Sequence, residues 1–301
     1  MKFFSALLVL CLLSAAVGSV LQRQNLQAIS YEDSIGRDKL MPMSAAAYAD
    51  DPLPCIQTVF DRRKVELIGS ASASCDFSGD SCSAFVVVSH QDGAVIVAFR
   101  GAENSQELND LLNKKETELE DFVGGGQVAK GYHDAVTNLE RNGLKDMYLA
   151  GRNANPTYQI WVTGHNVGGA MASLWAAKMV YAKWADPDDL LLMTFGQPRV
   201  GDSDFATVHD DLVRNSYRVV HKRDGIAHLP PLDITPFKHH RSEVWYDNGM
   251  KEGDSYQECR KDDEGCSDSA FLTNSVLDDY YYYATSDSIN KWGQKGCPAA
   301  Q

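Results

Sequence analysis

The chain has 301 residues, of which 44% are hydrophobic and 23% are charged, and its formal net charge is −13. These proportions exclude a disordered or fibrous chain and leave room for one large buried core. The acidic balance argues against nucleic acid as the main partner, because phosphate binding needs a basic surface.

The first eighteen residues have the pattern of a secretory signal peptide. Lys2 is followed by an apolar run from Phe3 to Leu13 and then by small residues up to Gly18. The run is too short to span a bilayer, which needs about 20 apolar residues. We therefore predict cleavage near Gly18, a mature domain over residues 19–301, and a secreted protein without a transmembrane segment.

Six cysteines remain once Cys11 is lost with the signal peptide. They are Cys55, Cys75, Cys82, Cys259, Cys266 and Cys297. An even number in an exported chain indicates three disulfides, for which 15 connectivities exist. The short loops favour Cys75–Cys82 and Cys259–Cys266, which leaves Cys55–Cys297. A zinc site is the competing interpretation, but no Cys-x-x-Cys pair supports it.

Short apolar runs rich in Val, Ile and Phe alternate with helical stretches along the chain. Strands buried on both faces are predicted at 84–88, 94–99, 160–162, 190–195 and 217–220. Helices are predicted from about 131 to 150 and after Gly168, where nearly all residues are apolar. This alternation predicts an α/β fold with a mostly parallel central sheet and helices on both faces.

Two other segments have unusual composition. Residues 103–121 contain seven acidic side chains and are followed by Gly124-Gly125-Gly126. A solvated helix and a flexible turn are favoured over a phosphate-binding loop, because no Lys-Ser/Thr follows the glycines. The four tyrosines at 280–283 predict a strand or helix packed at an edge.

The segment from Ile160 to Ala170 has the layout of a nucleophile elbow. A strand ends at Thr163, a turn flanked by Gly164 and Gly168 follows, and a buried helix begins. In α/β-hydrolases this turn reads Gly-x-Ser-x-Gly, and the glycines relieve crowding around a strained central residue. Here the central residue is Asn166.

Four more motifs accompany the elbow. They are Ala98-Phe99-Arg100-Gly101, Phe195-Gly196-Gln197-Pro198-Arg199-Val200-Gly201, Arg218-Val219-Val220-His221-Lys222-Arg223-Asp224 and His239-His240-Arg241-Ser242-Glu243-Val244-Trp245-Tyr246. In order and spacing, the five motifs resemble the class 3 (fungal lipase-like) lipases, in a secreted form found in animals such as nematodes. The resemblance implies an α/β-hydrolase fold that cleaves acyl esters with a Ser-Asp-His triad. It places the triad acid at Asp224 and the triad base at His239, in the α/β-hydrolase chain order.

The same resemblance exposes two missing groups. Asn166 stands at the nucleophile position, and an amide is not a nucleophile near neutral pH. Ala102 stands where the family carries a Ser or Thr whose hydroxyl helps to bind the oxyanion, while the backbone N–H of Val167 would be the other donor. Losing the triad Ser costs about 10⁶ in kcat. We therefore predict a pseudolipase in which Asn166, His239 and Asp224 form a hydrogen-bonded relic of the triad.

Three routes would preserve weak hydrolysis, and an active lipid-ester hydrolase is therefore the alternative function. Ser173 could replace the nucleophile, although the elbow helix should bury it away from His239. Asn166 could deamidate, although the branched Val167 should slow that reaction. His239 with Asp224 could activate water directly.

The non-catalytic role that we predict is the binding of an acyl lipid in a cleft under a lid near residues 103–126, or of a host or partner protein. No cofactor and no metal is expected. Three other histidines are interpreted as structural, namely His165, His221 and His228.

Overall fold

The structure, a computed structural model, describes residues 30–75, 81–102, 118–232, 236–260, 265–273, 275–283, 285 and 287–299. The predicted signal peptide and residues 103–117 of the predicted lid lie outside these ranges. The strands are β1 (Val65–Ser74), β2 (Ser81–Ser89), β3 (Ala94–Phe99), β4 (Leu119–Asp121), β5 (Gln127–Ala129), β6 (Gln159–His165), β7 (Leu190–Phe195), β8 (Gly201–Asp202), β9 (Asn215–His221), β10 (Phe237–Lys238), β11 (Glu243–Tyr246) and β12 (Gln257–Cys259).

The α-helices are α1 (Asp33–Ile35), α2 (Met41–Ala46), α3 (Leu53–Val59), α4 (Lys130–Arg141), α5 (Leu144–Ala154), α6 (Val167–Tyr181), α7 (Ser203–Leu212), α8 (Val276–Asp279) and α9 (Ile289–Gln294). A π-helical turn, Gly36–Leu40, joins α1 to α2, and 3₁₀ turns cover Ile226–His228 and Ser267–Thr273.

A large sheet of eight strands forms the centre, in the order β1-β2-β3-β6-β7-β9-β11-β12. The run from β3 to β11 is parallel throughout, and antiparallel strands flank it on both sides. The predicted α/β class with a mostly parallel sheet is therefore confirmed. Parallel strands of this kind are buried on both faces, which explains their continuous apolar runs.

Strand β6 shows how the two faces are covered. Ile160 and Val162 point into the main apolar cluster, which also contains the apolar side chains of α6. Thr163 points to the opposite face, where its hydroxyl lies 2.9 Å from the Ser44 hydroxyl of α2. Alternate side chains of the strand therefore face two different layers of helices. Strand β6 ends at the carboxyl edge of the sheet, where the elbow begins.

The predicted long helix over 131–150 is wrong in one respect, because it is two helices. Helix α4 ends at Arg141, Asn142 caps it, and Gly143 precedes α5 with φ of +100°, a conformation that glycine adopts without strain. Leu139 of α4 and Leu144 of α5 are both buried in the main apolar cluster, so the two helices pack on the same face of the sheet.

The acidic segment also differs from its prediction where the structure describes it. Residues 119–121 form strand β4 rather than a solvated helix, and they pair with β5 in a hairpin. Gly125 and Gly126 close the turn with φ of +115° and +73°. Cross-strand pairing with a second, four-stranded sheet outweighs the helical preference of the charged residues.

All three predicted disulfides are present. They are Cys55–Cys297, Cys75–Cys82 and Cys259–Cys266. The first ties α3 to the end of the chain across 242 residues of sequence, whereas the other two each close a separation of seven. Within the described residues, no helix is both long and apolar enough to cross a membrane.

We expect the long-range disulfide to dominate the covalent contribution to stability. In the chain-entropy account, a closed loop of this length stabilises the fold by about 5–6 kcal/mol and a short loop by about 2–3 kcal/mol. Urea unfolding of Cys55→Ala/Cys297→Ala and of Cys75→Ala/Cys82→Ala measures the difference. Equal losses of unfolding free energy in the two double variants would contradict the expectation.

Candidate functional site

The elbow predicted from the sequence is present between β6 and α6. Asn166 occupies its tip with φ of 59° and ψ of −132°, and α6 begins at the next residue. A Cβ on Gly164 would collide with the backbone of Gly168, and a Cβ on Gly168 would collide with the carbonyl of Phe99. The two flanking glycines are therefore required by close backbone contacts on both sides of the tip.

Both ends of the Asn166 amide are engaged. Its Nδ2 donates to Oδ2 of Asp279 at 2.9 Å, and its Oδ1 accepts the backbone N–H of Val167 at 2.6 Å. That N–H is the group that would stabilise an oxyanion in a hydrolase with this elbow. The Asn166 side chain thus fills the nucleophile position and also occupies the predicted oxyanion donor.

Asp279 is the partner that the sequence analysis missed. It ends the short helix α8 and is 2% exposed. A general base in a hydrolase of this type must contact both the elbow side chain and the triad acid. Asp279 meets that requirement, because its carboxylate contacts Asn166 and lies beside the carboxylate of Asp224.

The Asp224 carboxyl group lies at the bottom of the site. It accepts the Ile226 N–H at 2.9 Å and the Tyr282 hydroxyl at 2.7 Å. Asp224 Oδ2 and Asp279 Oδ1 lie 2.6 and 2.8 Å from the point that a Cβ on Gly196 would occupy. Burial, and then the neighbouring Asp279 carboxylate, raise the pKa of Asp224 to about 8.

His239 is not the residue that joins these groups, and the predicted relic Asn166–His239–Asp224 is wrong. The His239 Nε2 lies 2.7 Å from the carbonyl oxygen of Ala227. Burial, followed by the Arg218 and Arg199 guanidinium groups, holds its pKa well below the usual range. The nucleophile–Asp–His chain order requires only that the base follow Asp224, and His239 satisfied that order without occupying the position.

His165 contributes the imidazole nearest to the elbow. Its Nδ1 lies 2.8 Å from the Tyr48 hydroxyl, and its Nε2 lies 2.8 Å from the Asp279 carbonyl oxygen and 3.1 Å from Asp279 Oδ1. Burial lowers the pKa of His165, but the Asp279 carboxylate outweighs burial and the net shift is upward. His165 thus holds Asp279 in place, in keeping with the structural role predicted for it.

The other predicted structural histidines also bond to backbone. His221 lies between the carbonyl oxygens of Asp278 and Asn248, and His228 Nδ1 lies 2.9 Å from the Asp224 carbonyl oxygen. The tyrosine run is neither a strand nor a helix beyond α8, contrary to its prediction. Within this irregular run the Tyr282 side chain is buried, and its hydroxyl donates to the Asp224 carboxyl group at 2.7 Å.

Ser173 is buried in α6, as predicted, and does not face the elbow. Its hydroxyl lies 3.1 Å from His209 Nε2 and 2.9 Å from His240 Nε2. All three side chains are at most 2% exposed. A serine–imidazole pair without access to substrate cannot act as a nucleophile.

His209, His240 and Asp210 are one of two clusters of potential metal ligands among the described residues. The two imidazole rings stack with centroids 3.7 Å apart and an interplanar angle of 18°. The Nε2 atoms of both rings already lie within hydrogen-bond distance of the Ser173 hydroxyl. In the second cluster, Glu120, His133 and Asp134, both carboxylates already contact the Lys130 ammonium group, and His133 Nδ1 lies 3.3 Å from Glu120 Oε2.

A small cavity lies at the tip of the elbow. It measures about 10 Å³ and is lined by Tyr48, Ala102, His165, Asn166, Asp279, Tyr280 and Asn290. This volume is enough for about one water molecule. Ala102 is therefore at the site, as predicted, and its methyl group supplies no hydrogen-bond donor.

Known proteins similar to this chain match it across the region that contains the elbow. The family model described as Lipase (class 3) matches residues 96–234, which include the elbow and Asp224. Over 290 residues the chain is 32% identical to Lipase ZK262.3 of Caenorhabditis elegans, covering 86% of this chain and 80% of that one. The chain belongs to the class 3 lipase family.

Fungal class 3 lipases are further relatives. The chain is 33% identical over 171 residues to Secreted mono- and diacylglycerol lipase 1 of Fusarium solani, covering 57% of this chain and 49% of that protein. The solved structure of lipase II from Rhizopus niveus superposes with a TM-score of 0.74 at 24% identity, covering 87% of this chain and 98% of that one. The α/β-hydrolase fold of this class 3 lipase homologue is thereby confirmed.

The Asp224 carboxyl group should make this lipase homologue less stable as pH rises. Its pKa of about 8 in the folded state exceeds the ordinary 3.8, so the folded protein binds an extra proton between these values. Stability from this group is full below about pH 4 and is lost as pH rises through 8. Urea unfolding at pH 5 and pH 9 should show a smaller decline in Asp224→Asn than in the exposed control Asp211→Asn; equal declines would contradict it.

Proposed function

We propose that this protein is a secreted class 3 lipase homologue that binds acyl lipid without hydrolysing it. The proposal rests on the two side chains at the reactive centre, where Asn166 occupies the nucleophile position and Asp279 the base position. Asn166 replaces the nucleophile and takes the Val167 N–H, while Asp279 stands where an imidazole base is needed. Without an attacking oxygen, a proton-accepting imidazole and a free oxyanion donor, the site lacks three contributions that each lower the barrier.

The secreted location is part of the proposal. The N-terminal run up to Gly18 has the composition of a signal peptide, and three disulfides suit an oxidising compartment. Mass spectrometry of protein from the culture medium of a eukaryotic expression host would test it. Retention in the cells with residues 1–18 intact would contradict it.

Lipid binding is supported by exposed apolar side chains at Val123 and Tyr181. Val123 in the β4–β5 turn is 53% exposed, and Tyr181 at the end of α6 is 49% exposed. Phe122, which precedes Val123 in the chain, contacts the Tyr181 ring, with centroids 6.5 Å apart. Exposed apolar side chains grouped in this way indicate a binding surface, and the named relatives of this chain are lipases.

Two measurements test the two halves of the proposal. Purified protein should release no product from short- or long-chain acyl esters and should form no adduct with an alkyl phosphonate probe. It should bind diacylglycerol-containing vesicles, and Val123→Asp/Tyr181→Asp should weaken that binding relative to the control Asp211→Asn. Adduct formation at the elbow would refute the first half, and vesicle binding that is absent or unchanged in the variant would refute the second.

Weak hydrolysis by an activated water is the second candidate. The cavity at the elbow has room for one water molecule beside the Asp279 carboxylate, which could accept its proton. Because Asn166 occupies the Val167 N–H, the resulting oxyanion would lack that stabilisation. Any ester turnover that Asp279→Ala abolishes would favour this candidate over the binding protein.

A further inference from the structure

The backbone at Asn166 has a geometry that brings its own side chain against the next peptide nitrogen. Around the Cα–C bond, Cβ is offset from the residue's own nitrogen by about 120°, because Cα is tetrahedral. With ψ of −132° at Asn166, Cβ therefore nearly eclipses the nitrogen of Val167. Asparagines in ordinary helices or strands have ψ near −42° or +135°, which keep the two groups apart.

The side chain is also turned toward that nitrogen. Oδ1 of Asn166 lies 2.6 Å from the Val167 nitrogen, which puts the attached carbonyl carbon Cγ beside it as well. A five-membered ring closes between these two atoms only when Cβ and the nitrogen are eclipsed. The elbow has thus already fixed the two torsions that a flexible chain would have to find.

The leaving nitrogen has an acidic neighbour. Nδ2 of Asn166 contacts the Asp279 carboxyl group at 2.9 Å, and Asp279 lies beside Asp224. Because the pKa of Asp224 is about 8, the two carboxyl groups together hold a proton at neutral pH. A proton is therefore available next to the amide that would depart as ammonia.

We propose that Asn166 is a self-modification site, at which the Val167 nitrogen attacks Cγ to form a succinimide ring and expel ammonia. The new N–Cγ bond replaces the Cγ–Nδ2 bond; the Val167 nitrogen gives up its proton, and the departing amide nitrogen takes up one from the Asp279 pair. The Val167 proton passes to Asn166 Oδ1, which already accepts its hydrogen bond, and returns to the Asp224–Asp279 pair when the ring carbonyl forms, so the pair ends with the proton count it began with. One water then opens the ring to leave an aspartate or isoaspartate at position 166. The elbow cavity has room for that water.

This inference does not rest on the proposed lipid-binding function. The product carries a carboxylate, whose attack on an ester would give a reactive anhydride rather than a stable acyl-enzyme. The inference also revises the expectation that Val167 makes deamidation slow. A branched neighbour hinders ring closure in a flexible chain, but here the fold has already brought the two atoms together.

The test compares folded and unfolded protein. Samples are kept at neutral pH, and each asparagine is followed by peptide mapping for loss of ammonia and for the mass of aspartate. In the folded protein, position 166 should be converted roughly tenfold or more faster than in the reduced chain in denaturant. Asn142 is the internal control, since it is exposed, precedes Gly143 and has ψ of 21°, so the unfolded chain should convert it first.

Two variants test ring closure and proton supply separately. Asn166→Gln, whose longer side chain cannot close the five-membered ring, should show no ammonia loss at this position. Asp279→Asn should fold and should slow the conversion, because it removes the carboxyl group that links the Asn166 amide to Asp224. An intact Asn166 in folded protein, or equal rates in folded and unfolded chains, would overturn the proposal, and an unchanged rate in Asp279→Asn would overturn the role given to Asp279.

Discussion

Hydrolysis of acyl esters is expected to appear when Asn166→Ser and Asp279→His are combined, and not with either change alone. The Ser hydroxyl becomes a nucleophile only when a base accepts its proton, and an imidazole at position 279 would lie between it and Asp224. Because triad members act as a unit, each single variant should stay at background. The double variant should exceed either by about 10² or more in initial rate.

The same experiment decides between two candidate bases. If His239 were the base, Asn166→Ser alone would hydrolyse esters, and His239→Ala would abolish that activity. If position 279 is the base position, adding His239→Ala to the double variant should leave the rate nearly unchanged once folding is verified by circular dichroism. Adding Ala102→Thr to the double variant should raise the rate further, since one oxyanion donor contributes about 10²–10³.

Gly168→Ala is expected to destabilise the protein by about 3 kcal/mol or more, although alanine normally favours a helix by about 1 kcal/mol over glycine. The sign reverses because the added Cβ would meet the carbonyl oxygen of Phe99 and, at 2.8 Å, the carbonyl carbon of Arg100. Both are backbone atoms of the strand end that supports the elbow, so neither can turn aside as a side chain could.

Urea unfolding measures the loss, and Gly249→Ala is the matched control. A Cβ on Gly249 would meet nothing within 4 Å, so its effect should stay within about 0.5 kcal/mol. A Gly168→Ala variant as stable as this control would show that the β3 end and α6 can separate, which would contradict the packing described for the elbow.

The fold was predictable because its signals are local. The ranges 94–99 and 190–195 coincide with β3 and β7, and the elbow was placed correctly by its glycines. Errors arose where pairing outweighed local preference, as in the acidic residues 119–121 that became a strand. The break at Gly143 was also missed, because α4 and α5 continue almost the same apolar pattern on each side of one glycine.

The site was only half predictable. Asn166, Val167, Ala102 and Asp224 all line or adjoin it, as the motifs indicated. Asp279 was missed because a search for a triad base considers histidines, and the segment from Ser275 to Tyr283 contains none. The sequence did contain one signal for this site. The acidic pair Asp278-Asp279 directly precedes four tyrosines, and carboxylates next to residues that are expected to be buried are candidates for a functional role.

By itself, the amino-acid sequence determined the layered α/β architecture, the three disulfides and the replacement of the nucleophile by Asn166, since each depends on residue type and spacing along the chain. Only the tertiary structure decided which side chain faces that asparagine. Asp279 lies 113 residues further along the chain, and contact across such a separation depends on how α8 packs against the ends of the parallel strands. Packing brings a carboxylate to this position, where the sequence analysis expected the imidazole of His239.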